Sequence, residues 1–449
     1  MTEQEKRLAI HGGEKSVPSL GSSRPKVGVE EIMELLDLWP IGPERKRRIG
    51  DILAEEEADT LRPMAGPHLF RYYGPTASKV QQAEQAFAEA MGAQYVLGVN
   101  SCTSALIAAL VACGVGPGDE VIVPGYTFFA SASAAVVAKA IPVIAEVDES
   151  LTLDPDDLER KITKHTKAVI PVHMRGTGCD MDRVMAVAQK HGLRVIEDVA
   201  QACGASFQGK RLGTFGDCGC FSLDFYKIIT SGEGGFITTD DERLYVRAQS
   251  YHDTAACWRP DRYARERMPG ELFCGENYRM SELQGAVALA QVRRLDERLD
   301  RMRANQRRML SGIERIAGLS FRKLPDPEGD AAVCVGLFCP DVETTKRVIP
   351  ALQAEGIVAG GIYDATVRDW HIYTNWEHIL ERKTPTEEGC PYTCPYYKGD
   401  LPEYAADMCP RTLDLLSRSV HVAVSSDYTP EVCDRIAEGI NKVMRVYLR

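Results

Sequence analysis

The sequence predicts an α/β fold: a large domain with a mostly parallel central sheet flanked by helices, followed by a smaller α+β C-terminal domain. Two patterns carry this reading. From about residue 76, short apolar runs alternate with segments of helical period, the order that a parallel sheet with crossover helices requires. Beyond a long charged periodic segment at 281–316, shorter strands and helices take over and end in an amphipathic terminal helix. The boundaries that follow are an N-terminal extension over 1–60, a large domain over 61–300 and a small domain over 301–449. There is no internal repeat and no low-complexity tract.

Taken in order, "KVQQAEQAFAEAMGA" has helical period and stops at Gly92. "YVLGVN" (95–100) is a short strand, and "SCTSALIAALVACGV" is a helix whose start is rich in small hydroxyl residues. "EVIVPG" (120–125) is a strand and "FASASAAVVAKA" a helix. Strands follow at "PVIAEVD" (142–148), "AVIPVH" (168–173) and "RVIEDVA" (194–200), with helical segments between them, and "GGFITTDD" (234–241) adds one more. The segment 281–316 reads as one helix, long enough to cross between domains.

Bulk properties narrow the function. With 449 residues, 44% of them apolar, the chain can bury a large core. Its net charge is −11 and no stretch gathers Lys and Arg into a nucleic-acid surface. The short run "ERKRR" (44–48) reads as a solvated helix face. The 14 cysteines are scattered, mostly in apolar or Gly-rich surroundings, as reduced thiols used as small hydrophobes would be. Cys390 and Cys394, with Cys409 further on, form one close pair without the second pair or histidine that zinc calls for, so no metal is expected. The N-terminus lacks an apolar core of signal-peptide length, and no apolar run reaches the roughly 20 residues that span a bilayer. A soluble cytoplasmic protein is expected, with no nucleic-acid or membrane partner.

Chemistry concentrates where parallel sheets place ligands, beyond the C-terminal ends of strands. In "FSLDFYKIITSGEGG" (221–235), Lys227 stands between an apolar strand-like run and a Gly-Glu-Gly-Gly cluster, in a stretch that reads as interior. Lysine is a rare interior residue, and one taken out of water gives up its proton more readily. "VNSCTSAL" joins a strand to a helix through small hydroxyl residues. N–H groups at that helix start, with the Thr103 and Ser104 hydroxyls, would cradle a phosphate, whereas N-capping explains one hydroxyl but not three in four residues. The aromatics of "VPGYTFFAS" are either core or a flat face for a planar ring. Glu197-Asp198 ends an apolar strand in "VIEDVAQA"; a carboxylate there either caps the next helix or holds a proton on a heteroaromatic nitrogen, and Gln201 lies on the same face. A phosphate cradle, a ring platform, a ring-nitrogen acid and an interior lysine together describe a site for pyridoxal 5′-phosphate (PLP), to which the lysine would be joined as a Schiff base.

From about Gly74-Pro75 to the C-terminus the sequence resembles the DegT–StrS family of fold-type I PLP enzymes, the sugar and aminocyclitol aminotransferases. The most diagnostic match is Ser222, then five residues to Lys227, then Gly232–Gly235. The resemblance implies that Lys227 forms the Schiff base, that Asp198 pairs with the pyridine nitrogen and that Gln201 approaches the ring hydroxyl. It implies that Phe128 stacks on the ring, and that Ser101, Cys102, Thr103 and Ser222 bind the phosphate. Asn277 in "ENYRM" matches an asparagine that reaches the phosphate from the neighbouring subunit, which implies a homodimer with shared active sites. Two positions depart from the pattern: Cys102 replaces a common glycine, and Asp224 stands where many members have histidine or asparagine. The implied reaction moves an amino group from L-glutamate or L-glutamine, through pyridoxamine 5′-phosphate, to a keto or aldehydo sugar or a cyclitol. The alternatives are a sugar dehydratase, whose members carry histidine in place of Lys227, and a non-catalytic PLP- or sugar-sensing protein. Trp370, His371, Trp376, Tyr392 and Tyr396 are candidates for the acceptor pocket, with small-domain core or dimer surface an equal alternative.

Overall fold

The computed structural model describes residues 2–17, 27–59, 69, 78–258, 261–361 and 368–448, so the Gly74-Pro75 start of the resemblance lies outside the described residues. The chain forms two units, Met1–Thr76 and Ala77–Arg449. In the first, helices Val29–Leu36 and Pro43–Asp59 pair through Gly50 against Met33 and a Lys46–Asp37 ion pair, and the "ERKRR" run lies on the second helix. Among the described residues, no helix is long and apolar enough to cross a membrane.

The second unit is built on a seven-stranded sheet. Its strands are β1 (Tyr95–Val99), β2 (Glu120–Pro124), β3 (Ile141–Ala145), β4 (Thr166–Val169) and β5 (Arg194–Asp198). After a small hairpin of β6 (Ser206–Phe207) and β7 (Lys210–Arg211) come β8 (Cys218–Ser222) and β9 (Gly235–Thr239). The spatial order is β1-β9-β8-β5-β4-β2-β3. Every pairing is parallel except the two made by β9, which runs antiparallel between β1 and β8. The strands read as near-continuous apolar runs because both faces are covered. Leu97, Val99, Val121, Val123 and Ile196 face one buried layer, and Val96, Ile122, Val195 and Phe236 face the other.

Helices form where the sequence provides start and stop signals. Lys79–Met91 begins at a Ser78 side-chain cap and ends at left-handed Gly92. Cys102–Ala112 follows β1 and is almost wholly buried. The expected helix over 281–316 is instead two, Glu282–Val292 and Leu295–Gly312, broken at Arg293-Arg294. The break re-aims the chain: Leu295 and Leu299 stay in the core of the large sheet, while Met309 enters a separate core. That second core lies under a four-stranded antiparallel sheet of β10 (Ser320–Phe321), β11 (Cys334–Phe338), β12 (Ala359–Gly360) and β13 (Ser419–Ala423). The terminal helix Pro430–Tyr447 completes it.

One C-terminal segment returns to the large sheet. Tyr126, just beyond β2, bridges Ile372, and the N–H groups of Thr127 and Phe129 donate to the carbonyls of His371 and Trp370. Tyr373 and Trp376 are fully buried in the same core as β1 and β2.

Candidate active site

Because β9 runs against its neighbours, its first residue lies at the edge where the parallel strands end. Gly235 is therefore in register with both Val99 at the end of β1 and Ser222 at the end of β8. A Cβ on Gly235 would lie 2.6 Å from the Phe221 carbonyl oxygen, 2.8 Å from the Ser101 carbonyl carbon and 2.9 Å from the Cys102 nitrogen. Only glycine lets the sheet edge approach the turn so closely.

That turn is Ser101–Cys102–Thr103. Ser101 is the N-cap of helix Cys102–Ala112, its hydroxyl accepting from the Ser104 N–H at 3.1 Å. The N–H groups of Cys102 and Thr103, in the first turn, have no intrahelical acceptor and are free to donate to an anion. Cys102 is the first helical residue, in right-handed backbone that any L-residue adopts, so the departure from glycine costs the turn nothing. Burial pushes its thiol pKa up and keeps it neutral. Asn100 leaves a buried side-chain oxygen without a hydrogen-bond partner beside this turn. The buried Ser222 hydroxyl accepts from the Asp224 N–H at 3.2 Å, which leaves its own proton to donate.

Asp198 ends β5 and is buried. Its Oδ2 accepts from the Ser131 hydroxyl at 2.7 Å, itself 2.8 Å from the Thr127 hydroxyl, and its Oδ1 accepts from the Ala200 N–H at 3.1 Å. Burial raises its pKa, opposed by those two hydrogen bonds and by the positive charges of Lys227 and His173. The adjacent Glu197 is structural: it accepts the N–H groups of Gly213, Phe215 and Gly216 and faces His173 Nε2 at 3.1 Å. Gln201 Oε1 accepts from the Arg175 N–H at 3.1 Å. Phe128 presents a ring that is 46% exposed, 5.3 Å from that of His371.

Lys227 lies in the β8–β9 loop, and its charge reaches both Asp198 and Cys102. The expectation that this stretch is interior is corrected. β8 stops at Ser222, and a turn in which Asp224 O accepts from the Lys227 N–H and Asp224 Oδ1 from the Tyr226 N–H carries the chain outward. Phe225 and Tyr226 are 70% and 88% exposed, and Lys227 is half-buried. A rim position lets a cationic amine keep part of its hydration, which an interior one would forfeit. Asn277 is exposed, on a strip that runs antiparallel to the end of β1 through a Val99–Arg279 bridge.

Among the acceptor-pocket candidates, Trp376 and Tyr392 are core, Tyr396 is a 75% exposed surface residue, and Trp370 and His371 lie against the Phe128–Phe129 loop. Sequence reasoning missed Ser131 and Thr127, which hold Asp198. It also missed Arg175 and Tyr126, joined by a 3.1 Å bond from Arg175 Nε to the Tyr126 hydroxyl. The hydroxyl-rich "YTFFASAS" carried a hint of the first pair.

A sheet edge with this arrangement defines the fold-type I aminotransferase class, and solved structures agree. An aminotransferase from Psychrobacter cryohalolentis superposes with a TM-score of 0.68 at 27% identity, over 83% of this chain and 92% of that one. The chain belongs to the DegT/DnrJ/EryC1/StrS aminotransferase family, whose model matches residues 52–394. It is 44% identical over 226 residues to a GDP-perosamine synthase of Caulobacter vibrioides, a match covering 49% of this chain and 58% of that protein. It is 38% identical over 329 residues to an L-glutamine:2-deoxy-scyllo-inosose aminotransferase of Streptomyces kanamyceticus, covering 71% and 75% of the two.

Proposed function

We propose that this protein is a PLP-dependent aminotransferase that passes an amino group from L-glutamate or L-glutamine to a keto or aldehydo sugar or a cyclitol. The observation that carries this is the convergence at one sheet edge. The Ser101–Thr103 turn, Ser222 and Gly235 are brought together by strand register, Asp198 ends β5, and Lys227 leaves the β8–β9 loop within electrostatic reach of Asp198. The residues fit the cofactor: an anion-binding turn that a Cβ on Gly235 would distort, and a buried carboxylate with no cationic partner at salt-bridge distance among the described residues.

When bound, the cofactor supplies an amine-reactive aldehyde and a ring that accepts electrons. The N–H groups of Cys102 and Thr103 and the Ser222 hydroxyl would hold its phosphate. Asp198 would hold a proton on the ring nitrogen, which would give the buried carboxylate the cationic partner it lacks. Gln201 would face the ring hydroxyl and Phe128 would cover one face of the ring. Lys227 Nζ would carry the covalent link to the cofactor, and its free amine would take the proton from the donor's Cα. The cofactor-binding domain is the one built on the seven-stranded sheet, to whose core Tyr373 and Trp376 return, and the smaller domain is the one built on the four-stranded sheet. The working form is a cytoplasmic homodimer in which Asn277 completes the neighbouring site.

The test is covalent. Borohydride treatment of protein supplied with PLP should fix the cofactor on Lys227 by mass spectrometry. Lys227→Ala should lose the link and lower amino transfer by at least about 10³-fold. A fixed adduct on another residue, or a fully active variant, would overturn the assignment. Mixing the pyridoxamine form with keto and aldehydo sugars and cyclitols, and following recovery of visible absorption, identifies the acceptor.

A further inference from the structure

The loop that carries Lys227 is fastened unevenly. At its base the Leu223 N–H donates to the Gly234 carbonyl, the Ser231 N–H and the Thr230 hydroxyl donate to the Leu223 carbonyl, and the Gln284 side chain donates to the Glu233 carbonyl. The arch over 225–229 lacks such support. Before the lysine stand the exposed rings of Phe225 and Tyr226. After it Ile228 and Ile229 turn inward, into the core that also holds Leu295 and Leu299. Among the described residues, one hydrogen bond ties this arch to anything outside the loop: Arg298 Nη1 donates to the Ile228 carbonyl at 2.6 Å.

That bond joins the residue directly after Lys227 to the helix Leu295–Gly312, which runs from the core of the large sheet into that of the small one. Ile228 is buried, and among the described residues no other donor reaches its carbonyl. A charged donor makes a stronger hydrogen bond than a neutral one, and removing it leaves a buried acceptor unmet. The apolar packing of Ile228 and Ile229 has no preferred direction, whereas a hydrogen bond fixes the peptide plane it is made to. The other arginines around Arg298 are committed elsewhere: Arg294 Nε to the Ala290 carbonyl, Arg301 to Asp427, and Arg303 to the carbonyls of Gly329 and Asp330. Half-buried Arg298 alone among them turns to the loop.

We propose that Arg298 is the positioning residue of Lys227: its bond orients the peptide that follows the lysine and so sets where the amine stands. This rests on the amino-transfer reading above, in which Lys227 carries the covalent link and moves the proton. The charge of Lys227 reaches Asp198 and Cys102 from this loop, so a rotation of the next peptide changes the amine's approach to both.

Two forms of the cofactor separate the lysine from the rest of the site. PLP condenses with an amine, its aldehyde and the amine joining with loss of water. Pyridoxamine 5′-phosphate has no aldehyde and reports binding alone. Arg298→Met keeps the apolar stem of the side chain and removes the donor. In cofactor-free Arg298→Met protein, pyridoxamine 5′-phosphate affinity, titrated calorimetrically, should stay within about twofold of the wild type. The rate at which added PLP forms the borohydride-reducible link should fall about 10- to 100-fold, the scale of a misplaced reacting group. Arg298→Lys, which keeps a charged donor, should recover part of that rate, and Arg301→Gln, on the same helix but paired with Asp427, should match the wild type. Folded Arg298→Met that links PLP as fast as the wild type would overturn the proposal. So would an equal loss with both cofactor forms, which would mark Arg298 as support for the whole site. Should Arg298→Met not fold, Arg298→Gln carries the same comparison. Failure of the amino-transfer reading would show separately, as wild-type protein that links PLP at Lys227 but never transfers nitrogen.

Discussion

Asp198 illustrates what a single residue costs and returns. Its carboxylate is buried behind Ser131 and Ala200, and burial raises its pKa above the ordinary aspartate value. A carboxyl group with a raised folded-state pKa favours the fold while protonated. That contribution is present below the unfolded pKa of about 3.9 and is lost as pH rises through the folded pKa. Rising pH therefore works against the cofactor-free fold at this position. Asp198→Asn keeps the shape and removes the charge: its oxygen can accept from the Ala200 N–H while its amide donates to the Ser131 hydroxyl, which reverses that bond. In cofactor-free protein the variant should be more stable relative to the wild type at pH 8 than at pH 5, read from urea melts. The same variant should lose most amino transfer, because an amide cannot hold a proton on the ring nitrogen. Asp198 was legible as the polar end of an apolar run. Its holder Ser131 was not, because 67 residues separate the two and no local spacing records the contact.

The element that organises the site is β9. Most of the central strands were legible as apolar runs bounded by turn residues, and their helices by Ser caps and terminal glycines. The direction of β9 was not legible, since a buried strand reads the same way in either orientation. Only pairing shows that Gly235 begins at the edge where β1 and β8 end. Gly235→Ala should therefore do more than crowd one strand. Its Cβ would press on backbone atoms of Phe221, Ser101 and Cys102, none of which can rotate away. We expect a loss of about 1–3 kcal/mol in stability and a weakening of PLP affinity, seen in a melt and a cofactor titration. Unchanged cofactor affinity would show that the turn does not carry the phosphate. The break at Arg293-Arg294 was invisible for a related reason: apolar residues keep their helical spacing on both sides of it, and only the two cores they enter differ.

At the scale of the whole molecule the question is whether one chain makes a complete site. Lys227 lies within electrostatic reach of Asp198 in the same chain, whereas Asn277 is exposed on a strip beside the end of β1. If Asn277 serves a neighbouring subunit, damage at Lys227 and damage at Asn277 fall on different sites of a mixed dimer. A dimer of one Lys227→Ala chain and one Asn277→Ala chain then holds one site with both defects and one with neither. Random reassortment of equal amounts makes half the dimers mixed, each with one intact site of two. Activity should thus rise to about a quarter of the wild-type level, well above either variant alone. Were each chain to build its own site, no mixed dimer would contain an intact one, and activity would stay at the average of the two variants. Mixing the variants under conditions that exchange subunits, then assaying amino transfer against time, separates these outcomes, and sedimentation of the unmixed proteins establishes that dimers are present to exchange.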